Sequence, residues 1–316
     1  MNLYRDYHTY LRELFGERVQ KITLDAGLTC PNRDGTICRG GCIYCDSRGS
    51  GTGAMIHRGL SIAEQMRRGS EFAGKRYGAK KFIAYFQSFS NTYAPLRTLK
   101  NLYDQALIHP GVVGLSVGTR PDCITSEILD LLSSYRDRFL VWLELGLQSA
   151  HDATLLRINR GHSVACFDRA AAMADACGLN VCAHVILGLP GETRTMMVET
   201  ACHLASLPVK GLKIHALYIV KGVALATMHE KGLYQCLTRE EYVESVVDFL
   251  ERIPPDVIIQ RLTGDPNPLE LQSPDWVKDK WTNLRLIRKR LEERDAWQGK
   301  KYRPQSFTAA HGESEV

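Results

Sequence analysis

The chain has 316 residues, 44% of them hydrophobic and 24% charged, with a formal net charge of +5. This length and mix exclude a disordered tail and a small disulfide-stapled scaffold, and fit one α/β barrel with a large core. The mild positive charge permits a nucleic-acid partner, but Lys and Arg are not clustered as in dedicated binding domains.

Taken in chain order, the first 16 residues are polar, with Leu3, Tyr7, Leu11 and Leu14 at helical spacing. They do not read as a signal peptide, and no apolar run is long enough to span a bilayer. The expectation is a cytoplasmic protein without a membrane partner, whose ten cysteines sit in a reducing compartment where disulfides are rare. Short apolar strands then alternate with amphipathic helices, the pattern of a parallel sheet built from βα units. The strands predicted are Lys21–Asp25, Lys81–Phe86, Gly114–Gly118, Leu140–Leu147, Asn180–Leu187, Gly211–Tyr218 and Val257–Leu262. The clearest helices are Leu96–His109, Thr125–Arg136, Val164–Cys177, Thr195–Ser206 and Arg239–Arg252. A late helix, Pro274–Arg294, carries Trp276, Trp281, Leu284, Ile287 and Leu291, and a polar tail from Gln298 is expected to fray. The division predicted is an N-terminal helical segment (1–20), a partial or full (β/α) TIM-type barrel (21–265), and a C-terminal helix with a flexible tail (266–316).

Successive strand residues point to opposite faces. Val141, Leu143, Leu145 and Leu147 share one face, and Trp142, Glu144, Gly146 and Gln148 the other. On the next strands His184 shares a face with Cys182 and Ile186, while Lys213 and His215 oppose Leu212 and Ile214. Parallel strands covered on both faces are usually almost wholly apolar. Polar residues on one face of three consecutive strands therefore predict a barrel whose interior binds something.

Four cysteines, Cys30, Cys38, Cys42 and Cys45, follow the first strand. They sit in a loop at the C-terminal barrel end, where active sites of such barrels form. Gly40 and Gly41 let the backbone wrap tightly. Two metal chemistries fit the residues: four thiolates closing a tetrahedral zinc site, or three holding a [4Fe–4S] cube with one iron open. In the second, Cys42 and Cys45 act with Cys38 or Cys30.

Cys38-x3-Cys42-x2-Cys45, with Tyr44 before the last cysteine, matches the signature of the radical S-adenosylmethionine (SAM) superfamily. Further blocks match in order: Cys30-Pro-Asn-Arg-Asp-Gly-Thr, Tyr85 to Thr92, Thr119-Arg120-Pro121-Asp122-Cys123, Glu144-Leu145-Gly146-Leu147-Gln148, Ile158-Asn159-Arg160-Gly161-His162 and Gly188-Leu189-Pro190. The chain resembles the YhcC/YtqA-type members, which are related to the catalytic subunit of Elongator. That resemblance implies Cys30, Cys42 and Cys45 as cluster ligands, with Cys38 the alternate third. It implies SAM as the second cofactor, met by Tyr44, Gln87, Ser88, Gly118, Glu144, Gln148, Arg160 and His184. A likeness to oxygen-independent coproporphyrinogen oxidase supplies Gln148 and Arg160, and places His184 where that enzyme has an Asp. Lys213 and His215 are the residues expected to reach the substrate.

The activity implied is hydrogen abstraction from an unreactive carbon, with electrons from a donor such as flavodoxin or ferredoxin. The Elongator kinship points to tRNA as the partner, and to the C5 side chain of the wobble uridine presented unstacked. Arg33, Arg39, Arg48, Lys80 and Lys81 are expected near the loop end for phosphate contacts. A small metabolite as substrate, or a zinc-stabilised RNA-binding protein without catalysis, are the alternatives.

Overall fold

The computed structural model of the chain describes residues 2–49 and 59–304. A first helix, α1 (Tyr7–Phe15), precedes the strands β1 (Val19–Leu24), β2 (Lys81–Phe86), β3 (Val112–Thr119), β4 (Leu140–Gln148), β5 (Asn180–Leu187), β6 (Gly211–Ala216), β7 (Ile219–Val220), β8 (Ile258–Arg261) and β9 (Leu271–Ser273). Seven of these form one parallel sheet in the order β1-β2-β3-β4-β5-β6-β8, curled into a half-barrel whose edge strands β1 and β8 do not pair. Strands β7 and β9 make a small antiparallel pair beside it.

The remaining helices are α2 (Ile62–Tyr77), α3 (Leu96–Leu107), α4 (Ser126–Ser133), α5 (Asp152–Arg157), α6 (Val164–Ala176), α7 (Arg194–Ala205), α8 (Ala224–Glu230), α9 (Arg239–Leu250) and α10 (Lys280–Glu293). Five of the loops leading into them end on a Ser or Thr whose hydroxyl accepts a first-turn N–H: Ser61, Thr125, Ser163, Thr193 and Thr238. These caps satisfy donors that a helix start leaves orphaned. Helix α2 had no strong sequence signal because Gly69, Gly74 and many charges dilute its apolar stripe.

The alternation in the strands decides the layering. Val141, Leu143, Leu145, Val181, Ala183, Val185, Leu212 and Ile214 are all buried in the core between sheet and helices. The opposite face closes on the barrel interior. Its floor is aromatic: Tyr7 and Tyr10 of α1 stand edge-on to Trp142, with ring centroids 5.9 and 6.4 Å away. The chain just before α1 also lies along the open edge, where Ile259 N–H donates to the Arg5 carbonyl at 2.8 Å.

Three expectations are corrected. Lys81 opens β2 and so lies at the floor end, where it pairs with Glu17 at 3.1 Å and donates to the Phe15 carbonyl; with its neighbour Lys80 it is remote from the cysteine loop. The late helix is broken: a 3-10 turn at Asp275–Lys278 precedes α10, which Asp279 caps, and Trp281 is exposed while Trp276 stacks near Tyr242. Gln298 is buried: its side chain donates to the carbonyls of Pro254 and Val257 and accepts from Arg5 N–H, so the chain is pinned there rather than frayed; the expected tail at 305–316 lies outside the described residues.

Trp142 has no exposed surface, and its loss would leave a void between α1 and the sheet. Trp142→Ala is expected to lower stability by about 3–5 kcal/mol, measured as a shift of the urea midpoint at unchanged slope.

Candidate active site

The mouth of the half-barrel opens into a cleft whose void, including its solvent-open part, is about 1350 Å³. One wall is the cysteine loop and carries Cys30, Cys42, Tyr44 and Cys45. The other is built from strand ends and inward-facing residues: Gln87, Gly118, Glu144, Gln148, Arg160, His184, Lys213 and His215 all line it. Cys38 and Ser88 do not; Ser88 is buried, and among the described residues its hydroxyl has no hydrogen-bond partner. Cys30 thus faces the cleft with Cys42 and Cys45, whereas Cys38 is not among the residues lining it.

The loop is shaped by its own backbone. Gly40 and Gly41 sit at φ 83° and 78°, in the left-handed region. Asn32, fully buried and not singled out in the sequence, donates from Nδ2 to the Asn159 carbonyl at 2.5 Å and approaches Cys42 Sγ at 3.7 Å. Asn159 in turn donates to the Gly41 carbonyl at 2.7 Å, which ties the loop to the segment after α5. From that same segment Arg160 sends Nη1 to Cys42 Sγ at 3.7 Å, Nη2 to the Gly146 carbonyl at 2.9 Å and Nε to His162 Nε2 at 2.8 Å. Burial works against the Arg160 charge, but Cys42 and Tyr44 outweigh it and hold the group protonated. His162 is driven down to about 3 by burial and by Arg160, so its ring is neutral and can accept that bond. A Cβ on Gly146 would stand 2.5 Å from both Arg160 Nη2 and Gln148 Nε2, so any larger residue would push the ends of both side chains out of this arrangement. Gln148 itself has φ 74° at a register shift in β4, a conformation costly for a side-chain-bearing residue and characteristic of functional positions.

Deeper in the cleft, Glu144 has no solvent exposure. Lys21 of β1 donates to its Oε1 at 2.6 Å, His184 Nε2 meets its Oε2 at 2.8 Å, and Lys213 bonds the same Oε2. Burial pushes the Glu144 carboxyl up, but Lys21 and Lys213 prevail and hold it ionised. Burial also pulls Lys213 down to about 7 despite Glu144, and pulls His184 down to about 4. Tyr85 completes the group: Lys213 Nζ reaches its hydroxyl at 3.1 Å, and Lys21 and Lys213 lie over its ring. Lys21 and Tyr85 were not singled out in the sequence. A period-2 reading of β1 and β2 alongside β4 would have found them.

Among the described residues, no group of three or more Cys, His, Asp and Glu side chains is gathered as a single-ion site needs. Three thiols spread along one wall instead suit a multi-iron cluster, which takes each thiolate on a separate iron. A guanidinium and an amide aimed at Cys42 Sγ suit a thiolate ligand, whose charge they stabilise. The donor set therefore fits a three-thiolate [4Fe–4S] cluster.

A family model described as the Radical SAM superfamily matches residues 33–203, over half of the chain, and a Radical_SAM C-terminal domain matches residues 209–293. The chain belongs to the radical SAM superfamily. The cofactors of these enzymes are a [4Fe–4S] cluster and SAM, and they require an electron donor. YtqA of Bacillus subtilis is 42% identical over 309 residues, covering 95% of this chain and 94% of its own length. Human Elongator complex protein 3 is 28% identical over 162 residues, 50% of this chain and 29% of that protein. The solved structure of the archaeal Methanocaldococcus infernus Elp3 shares the fold, with a TM-score of 0.68 at 17% identity over 89% of this chain and 64% of that one. All ten cysteines are free of disulfides, and no helix among the described residues is long and apolar enough to cross a membrane.

Two outcomes follow for this radical SAM protein. After anaerobic reconstitution, Cys30→Ala, Cys42→Ala and Cys45→Ala should each lose most bound iron and sulfide and the visible charge-transfer absorbance, whereas Cys38→Ala should retain them. The titration of Lys213 has a definite sign: its folded pKa of about 7 lies below the unfolded value of 10.5, so the unfolded chain binds more protons between them. Relative to Lys213→Met, the wild-type melting temperature should therefore rise as pH increases from 7 towards 10; a flat or falling difference would contradict a Lys213 that sheds its proton near neutrality.

Proposed function

We propose that this radical SAM enzyme acts on the C5 side chain of a wobble uridine in tRNA, in the cytoplasm, with electrons from a flavodoxin- or ferredoxin-type donor. The partial match to Elongator complex protein 3 carries this substrate reading. Held by the cleft residues, a [4Fe–4S] cluster and SAM would supply the radical chemistry for hydrogen abstraction from the substrate. In our assignment Cys30, Cys42 and Cys45 hold the cluster. Arg160, tied to Cys42 and Gly146, orients the SAM carboxylate, Gln87 lies where the methionine amino group is met, and Gln148, Tyr44 and Gly118 complete the SAM contacts. We leave Ser88 outside this contact set, since its side chain is buried and not among the residues lining the cleft. Glu144 and His184 form the support beneath.

Lys213 and His215 face the remaining space, where substrate enters. His215 is held neutral, first by burial and then by Arg261, His184 and Lys213 around it. Near pH 7 Lys213 can give or take a proton at Nζ, which suits a step that must hold or deliver one. The mouth supports a nucleotide substrate: a second cavity shares Arg33, Gly41, Cys42 and Cys45 with the first and adds Arg39, Arg48 and Lys221. Phosphates running past a base inserted in the cleft would meet Arg39 and Lys221, while Arg48 is held by Asp46 and Glu270 and Arg33 by the carbonyls of Cys45 and Asp46.

The test is mass spectrometry of modified nucleosides from bulk tRNA of cells with and without this protein. A change confined to C5-substituted wobble uridines is expected, restored by the wild-type chain and not by Cys42→Ala. An unchanged wobble-uridine profile would remove the tRNA reading.

A further inference from the structure

Among the described residues, the inner wall of the cleft carries one cation, Arg261, that makes no hydrogen bond and no ion pair. Lys213 and Arg261 are register partners on the adjacent strands β6 and β8, so both side chains leave the sheet on its inward face. His215, two residues beyond Lys213, shares that face. The cleft's carboxylates are already committed: Glu144 holds Lys21, His184 and Lys213, Asp46 pairs with Arg48 at 3.3 Å, and Asp265 pairs with Lys280 at 3.1 Å. The other cations of the wall are equally committed. Arg120 is bidentate to Asp122, Arg33 donates to the carbonyls of Cys45 and Asp46, and Arg160 is spent on Cys42, Gly146 and His162. Among the described residues Arg261 alone of these cations makes no hydrogen bond and no ion pair, although it is only partly exposed and lines the cleft. A half-desolvated guanidinium without an anion is costly, and its planar fork suits a carboxylate or phosphate.

We propose that Arg261, flanked by Lys213 and His215, is an anion subsite that receives an acidic group of the substrate, a carboxylate or a phosphate. The subsite lies on the strand wall, apart from Arg160, which is tied to the cysteine loop. An acidic group seated there would fix the orientation of the substrate in the cleft and discriminate against neutral analogues, whose binding would leave the cation unpaired. The proposal rests on reading this cleft as the reaction chamber of the radical SAM enzyme.

The test is calorimetric titration of the reconstituted enzyme, with SAM present, by succinate, by inorganic phosphate and by neutral succinamide. Succinate or phosphate should bind and succinamide should not; the tighter of the two anions identifies the group. Arg261→Gln should weaken that binding about tenfold or more, with partial recovery in Arg261→Lys, while SAM affinity and melting temperature stay unchanged. A second readout needs no variant: the same anion should slow phenylglyoxal modification of Arg261 in the wild type, followed by peptide mass spectrometry. Anions that bind no better than succinamide, or equally well to Arg261→Gln, or that leave Arg261 modification unslowed, would overturn the subsite. The same wild-type sample is assayed for 5′-deoxyadenosine under dithionite; its absence would count against the radical reading alone, since the anion titration does not depend on SAM cleavage.

Discussion

A carboxylate sealed inside a half-closed barrel organises this molecule. Glu144 of β4 takes Lys21 from β1, His184 from β5 and Lys213 from β6, so one side chain joins strands that lie far apart in the sheet. Lys21 also donates to Gln260 of β8 at 2.8 Å, which bridges the two edge strands where no backbone ladder closes the barrel. A buried ion cluster of this kind gives little net stability over an apolar core, because desolvation offsets the Coulomb gain. Its effect is geometric: it sets the curl of the sheet and fixes the inward residues above it.

The cysteine loop is held by a second network that is nearly independent of the first. Asn32, Asn159 and Arg160 lace the loop to the end of β4, and Gly146 leaves the space in which Arg160 and Gln148 lie. The strained φ of Gln148 belongs to the same arrangement. Two sets of polar contacts thus meet across one cleft, one around the thiols and one around Glu144. Such a division suits an enzyme that must hold a cofactor rigidly while admitting a variable partner between two fixed walls.

The floor and the exterior complete the support. The aromatic contact of Tyr7 and Tyr10 on Trp142 closes the barrel floor below the ionic group. On the outside Arg294 reaches Glu244, Asp248 and Glu251, fastening the end of α10 to α9. Gln298 then joins the chain's late segment to Arg5, so both ends of the described chain brace the open edge near β8.

Periodicity and motif determined much of this from the amino-acid order. Alternation in β4, β5 and β6 placed Glu144, His184 and Lys213 inside, because side-chain direction along a strand is a local property. The cysteine spacing and its neighbouring blocks marked the family and its cofactors, since a cluster-binding loop needs its ligands close in the chain. Three things waited on tertiary structure. Cys30 rather than Cys38 faces the cleft because the loop folds back through Asn32, a contact across more than a hundred residues. Lys80 and Lys81 lie at the floor because strand direction, invisible in composition, decides which end a charge occupies. Arg261 stands out only in three dimensions, since an unpaired cation is defined by the carboxylates around it being taken, and that depends on seven strands meeting at one cleft.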